Sequence, residues 1–132
     1  MTAPSWKPDG YPTVSPYLVV GGAGVTAVLA FVRDVFGGVP LRRHDRPDGS
    51  VMHAEVRIGD SVLMLGDATA EWPAVPASLH VYVEDVDAVY ARALAAGGAA
   101  LQAPERTGDD PDRRGGVTDP AGNSWWIATQ VP

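Results

Sequence analysis

Cysteine is absent from the 132 residues. That lack excludes disulfides, thiolate metal ligands and a cysteine nucleophile together. Long apolar runs are missing too, and nothing in the chain approaches the length of a membrane-spanning helix. The N-terminal MTAPSWKPDGYP lacks the basic-then-apolar order of a secretory signal, so a cytoplasmic protein is expected. Positive charge is scarce: ten Lys and Arg face sixteen Asp and Glu, a formal net charge of −6. A surface of that sign repels phosphate backbones, and no basic stripe offsets it. Neither nucleic acid nor a membrane is an expected partner. What remains, at 45 % hydrophobic and 20 % charged, has the composition of one ordinary globular domain.

The first dozen residues carry Pro4, Pro8 and Pro12 and read as an irregular lead-in. PYLVV then reads as a strand. In GGAGVTAVLAFVRDVFGG, residues Val25, Val28, Leu29, Val32, Val35 and Phe36 recur at helical spacing, and Gly37-Gly38 ends the run. VPLRRH is a short strand, DRPDGS a turn, and MHAEVRI–GD–SVLML a hairpin. A linker with Trp72, Pro73 and Pro76 follows, where Trp72 could cap a module or a dimer contact. The order then restarts. SLHVYV is a strand. EDVDAVYARALAAGG is a helix with Asp85 as N-cap and Val86, Val89, Tyr90, Ala93 and Leu94 on one face. AALQA is a strand, ERTGDDPDRRGG a solvated polar loop, and GGVTDPAGNSWWIAT a hairpin turning at Pro120 to Asn123, with Asp119 shaping the turn. Both halves therefore read strand–helix–strand–strand–strand, and IGDSVLML echoes PAGNSWWIA. An internal duplication explains this economically.

Together PYLVV, VMHAEVRIGDSVLMLGDA, SLHVYVEDVDAVYARALAAGG and DPAGNSWWIAT resemble the vicinal oxygen chelate superfamily of glyoxalase I, bleomycin-resistance proteins and extradiol dioxygenases. The resemblance runs from Tyr11 to Gln130. It implies an α+β fold of two βαβββ modules, about residues 12–67 and 78–130. They would form a curved mixed sheet around a central cleft, with the helices outside. Metal-using members place four ligands at positions that correspond here to Tyr17, Met64, His80 and Trp126. Only His80 is a usual ligand, whereas a catalytic divalent site takes at least three N, O or S donors. The ligand quartet is incomplete, and glyoxalase I activity of the usual kind is not expected.

Strand alternation sends Met52, Ala54, Val56 and Ile58 toward the helices and His53, Glu55 and Arg57 toward the hollow. With Gly59-Asp60 as a two-residue turn, Ile58 pairs with Ser61 and Glu55 falls opposite Met64. The same parity sets His80, Tyr82 and Trp126 inward and Leu79, Val81, Val83, Trp125 and Ile127 outward against a helix. The expected ligand-binding lining is Tyr17, His53, Glu55, Met64, His80, Tyr82 and Trp126, a small-molecule pocket of rings with a few polar anchors. Each member has a plainer alternative: His53 and Glu55 on a solvated edge, His80 as an interior imidazole, Tyr82 and Trp126 as core. Three functions fit. The leading one is metal-independent binding of an aromatic or cationic compound, with no cofactor. The second is a metal-dependent lyase, isomerase or dioxygenase with a displaced divalent site on His80, Glu55 and His53. The third is acid–base catalysis by His80 or His53, oriented by Glu55. A homodimer is compatible with all three, the cleft forming within one chain or between two.

Overall fold

The computed structural model describes residues 6–132; Pro4 of the lead-in, with the rest of residues 1–5, lies outside them. The order is β1 (Tyr17–Val20), α1 (Gly24–Phe36), β2 (Val39–Asp45), β3 (Val51–Ile58), β4 (Ser61–Asp67), β5 (Ser78–Tyr82), α2 (Val86–Ala95), β6 (Ala99–Glu105), β7 (Asp112–Thr118) and β8 (Ser124–Gln130). It forms two four-stranded mixed sheets, β1-β4-β3-β2 and β5-β8-β7-β6. In each, the first strand lies parallel to the last and the remaining pairs are antiparallel. The duplication read from the sequence is thus a duplication of topology.

One core serves both modules. Val25, Val28, Phe31, Val32 and Val35 form the buried stripe of α1, and Leu29 and Phe36 pack at its margin. On α2 the buried residues are Val86, Val89 and Ala93, while Leu94, expected on that face, is 38 % exposed. The modules join where the rings of Phe36 and Trp125 lie 5.0 Å apart and Arg92 Nε donates to the carbonyl of Val35 at 3.0 Å. Trp125 is fully buried, its indole N–H donating to Asp119 at 3.0 Å. Asp119 also accepts from the backbone N–H of Ala121 and Asn123, so one carboxylate fixes both the turn and the largest core side chain.

Each helix receives a cap from the last strand of its own module. Ala23 precedes α1 without a capping side chain, and Asp67 of β4 accepts the N–H of Val25 at 2.8 Å instead. Thr129 of β8 accepts the N–H of Val86 at 2.9 Å, and Asp85 caps α2 through Ala88 N–H as the sequence predicts. Such caps answer N–H groups that the first turn leaves without partners.

Two further expectations need correction. Met52 is half exposed rather than in the core, because a bulge between the His44–His53 and Asp45–Val51 pairs turns Val51 inward in its place. The stretch ERTGDDPDRRGG is only partly a loop: Glu105 ends β6, from Asp112 onward it is strand β7, and Asp112 is buried.

Candidate functional site

The two-residue turn at Gly59-Asp60 fixes the β3–β4 register, Ile58 against Ser61 and Glu55 against Met64. Met64 in turn sits beside Tyr17 on β1. On the face of this sheet turned from the helices, the side chains form a chain of hydrogen bonds. Tyr11 donates to Glu55 Oε1, Glu55 Oε2 lies 2.9 Å from His53 Nε2, and His53 Nδ1 lies 3.1 Å from the hydroxyl of Tyr17. Tyr17 reaches His53 by crossing Gly66. A Cβ there would lie 2.8 Å from the Met52 carbonyl and 3.1 Å from the Tyr17 hydroxyl, so glycine is what lets the phenol through. Glu55 is only 3 % exposed. Burial alone would raise its pKa, but the hydrogen bonds from His53 and Tyr11 and the charge of Arg42 outweigh it, holding the carboxyl below its ordinary value. Tyr11, bonded to that carboxylate, is pushed up.

The second sheet repeats the layout with different residues. His80 pairs with Trp126, whose ring lies over Gly116; a Cβ on Gly116 would come within 2.6 Å of it. Tyr82 pairs with Ala128, and Ala128 with Arg114. Arg114 donates from Nε to His80 Nε2 at 3.2 Å and binds Asp110 at 2.6 Å and Asp112 at 2.9 Å. Asp112 also accepts the hydroxyl of Tyr82 at 2.7 Å, which pushes that phenol's pKa up. The rings of His80 and Tyr82 meet edge-on, 4.8 Å between centroids.

Matching registers between modules makes Tyr17 equivalent to His80, Met64 to Trp126, Gly66 to Ala128 and His53 to Arg114. In both, the first-strand residue crosses a small residue on the last strand to bond the third strand. Asp67 and Thr129, the two helix caps, correspond as well.

The sequence-predicted residues thus fall into two groups. Tyr17, His53, Glu55 and Met64 share the first sheet; His80, Tyr82 and Trp126 share the second. Glu55 and His80 share no contact: the two oxygens of Glu55 are taken by Tyr11 of the lead-in and His53 of β3, while Nε2 of His80 accepts from Arg114 of β7. Nor do the donors fit a divalent metal. Among the described residues no group of three or more His, Asp or Glu side chains is arranged to hold one, and the Nε2 lone pair of His80 faces a guanidinium. Sequence reasoning missed Tyr11 and Arg114. Tyr11 lies in an aperiodic lead-in and offers no signal, whereas the Asp112, Arg114, Gly116 alternation was available to mark a strand face.

Two hollows adjoin Tyr17. The smaller, about 440 Å³, is lined by Tyr17, Val19, Arg46, Met52, Gly66 and Trp72 among others. The larger, about 1200 Å³, runs between the modules along β5 and takes Tyr17, His80 and Tyr82 into its wall, but neither His53 nor Glu55. Among the described residues no helix is long and apolar enough to cross a membrane.

Comparison with known proteins agrees with this architecture. An uncharacterized protein of Mycobacterium bovis, Mb0911c, is 35 % identical over 133 residues, covering 91 % of this chain and 84 % of its own. Among solved structures, PA1353 from Pseudomonas aeruginosa superimposes with a TM-score of 0.71 at 22 % identity, over 90 % of this chain and 98 % of that one. TioX from Micromonospora sp. ML1 gives 0.68 at 20 % identity, over 89 % and 99 %. Both likenesses speak to the fold alone. Residues 16–127 match the family model of the Glyoxalase/Bleomycin resistance protein/Dioxygenase superfamily, and the chain belongs to that superfamily.

Proposed function

We propose that the protein binds a small, flat aromatic molecule without a resident metal, holding it against the ring of Tyr17 in the hollow shared with Trp72 and Met52. One observation carries the reading: Trp72 and Tyr17, 67 % and 50 % exposed, flank a concavity whose volume is that of small-molecule sites. Large rings left open around a hollow offer apolar and stacking surface to a ligand. The incomplete donor set supports binding without metal. The buried, doubly bonded Glu55 offers no free counter-charge, so aromatic character, rather than positive charge, is the recognised feature. The same reading places the protein in the cytoplasm, where a chain without disulfides loses nothing.

The reading includes a homodimer. Strand β5 is the outer strand of its sheet, and an unpaired edge is a template for another chain. Tyr82 on that strand is 65 % exposed beside the larger hollow.

The test is titration with neutral, phenolic and cationic aromatic compounds, followed by tryptophan fluorescence, in the unaltered protein and in Trp72→Ala. Saturable quenching that this substitution weakens about tenfold is the expected result. Indifference to every compound contradicts the reading.

A further inference from the structure

We propose that Glu55, His53 and Tyr17 form a proton relay that accepts the proton of an acidic hydroxyl, phenolic or enolic, on a molecule bound beside Trp72. The inference rests on the binding reading above and adds the chemical class of the ligand and what happens to it.

The direction of the relay follows from donors and acceptors. Ionised Glu55 can only accept, so His53 donates to it through Nε2. In the neutral imidazole this leaves Nδ1 as a lone pair, and the group facing it is the hydroxyl of Tyr17 at 3.1 Å. The phenol therefore points its proton inward and turns an oxygen lone pair outward. Burial grades along the chain: Glu55 is buried, His53 half-buried, Tyr17 half exposed. Tyr17 lines the smaller hollow and His53 does not, so a ligand there reaches the imidazole only through the phenol.

Proton transfer then balances without any further reactant. The ligand hydroxyl gives its proton to the oxygen of Tyr17 while Tyr17 gives its own to Nδ1 of His53. No other bond forms or breaks. The ligand is left as an oxyanion that accepts a hydrogen bond from the Tyr17 hydroxyl, and the new imidazolium rests against the Glu55 carboxylate. A carboxylate behind an imidazole stabilises the charged ring it creates, the arrangement general-base chemistry uses.

The surroundings favour a developing negative charge. The Arg46 guanidinium lines the hollow, held by Ser50 Oγ and by the carbonyls of Val51 and Asp67. Asp67 lines the hollow as well, and its carboxylate is held by the N–H groups of Val25 and Val51. The other ionisable groups around the relay are Tyr11 against Glu55, Arg42 and Arg57 flanking the Tyr11 ring, and His44, paired in register with His53. Of these, Arg42 adds positive charge behind Glu55 and disfavours its protonation.

The probe is 4-nitrophenol, whose neutral and ionised forms absorb at different wavelengths, added to saturation across a pH series with tryptophan quenching recorded in parallel. The bound probe should ionise about one pH unit below the free probe, a tenfold gain in phenolate at a given acidity. Tyr17→Phe and His53→Gln, each checked for native circular dichroism, should return the bound midpoint to that of the free probe. Working at saturation removes any change of affinity from the comparison. Quenching without a shifted midpoint, or a shift that survives both substitutions, overturns the relay while leaving the binding reading intact. Absence of quenching with this and every other aromatic compound removes the binding reading and the relay with it.

Discussion

Arg114 Nε lies 3.2 Å from Nε2 of His80 and donates to it, so the imidazole nitrogen a metal would need is engaged by a fixed positive charge. Its counterpart in the other module, Tyr17, is engaged by His53 at 3.1 Å. The two modules thus carry different side-chain networks at register-equivalent positions. Met64 and Trp126, paired with Tyr17 and His80, cannot bind a hard cation.

Arg114→Met should destabilise the protein through Asp112. That carboxylate is 4 % exposed and would keep Tyr82 as its side-chain partner after losing a charge-assisted bond. Such bonds contribute about 2 kcal/mol, and urea unfolding should show a loss of that order. An unchanged midpoint would mean the pair is a surface ornament.

Gly66→Val places atoms where the Met52 carbonyl and the Tyr17 hydroxyl already stand. Overpacking of this kind costs about 2 kcal/mol. It should also detach Tyr17 from His53, visible as changed NMR chemical shifts of the His53 ring protons at a fixed pH. A variant as stable as the parent, with those ring signals unmoved, would refute the crossing.

Stability should fall on acidification partly through Glu55. Its folded-state pKa lies below the unfolded value, so its contribution is complete above the unfolded pKa and disappears as pH drops through the folded one. Comparing the unaltered protein with Glu55→Gln by urea unfolding, the difference should be constant near neutrality and shrink below about pH 4. A difference that grows toward acid would reverse the sign argued here.

Much of this was legible in the chain. The Gly59-Asp60 turn gave the register that sets Glu55 against Met64, because a two-residue loop leaves no freedom to slip. Alternation in SLHVYV separated His80 and Tyr82 from Leu79 and Val81, since one face of β5 must meet the core. Three features escaped. Met52 left the core because a bulge reverses parity, and no residue pattern announced it. Tyr11 reaches Glu55 across 44 positions from a segment without periodicity. Arg114 was missed because the Gly, Asp and Pro around it outweighed the Asp112, Arg114, Gly116 alternation, and β8 recruits the stretch as a strand.

Association should be measurable. With β5 at the edge of its sheet and Tyr82 open beside it, sedimentation equilibrium at micromolar concentration should give the mass of two chains. A single-chain mass across the accessible range would leave that edge without the partner proposed for it.

The most direct test is elemental analysis of protein purified without chelators. With His80 facing Arg114 and Glu55 held by Tyr11 and His53, nickel, zinc, iron and manganese should each lie far below one equivalent per chain, and the binding of aromatic compounds should survive dialysis against a chelator. One tightly held equivalent of any of these metals, lost together with ligand binding on chelation, would contradict the account.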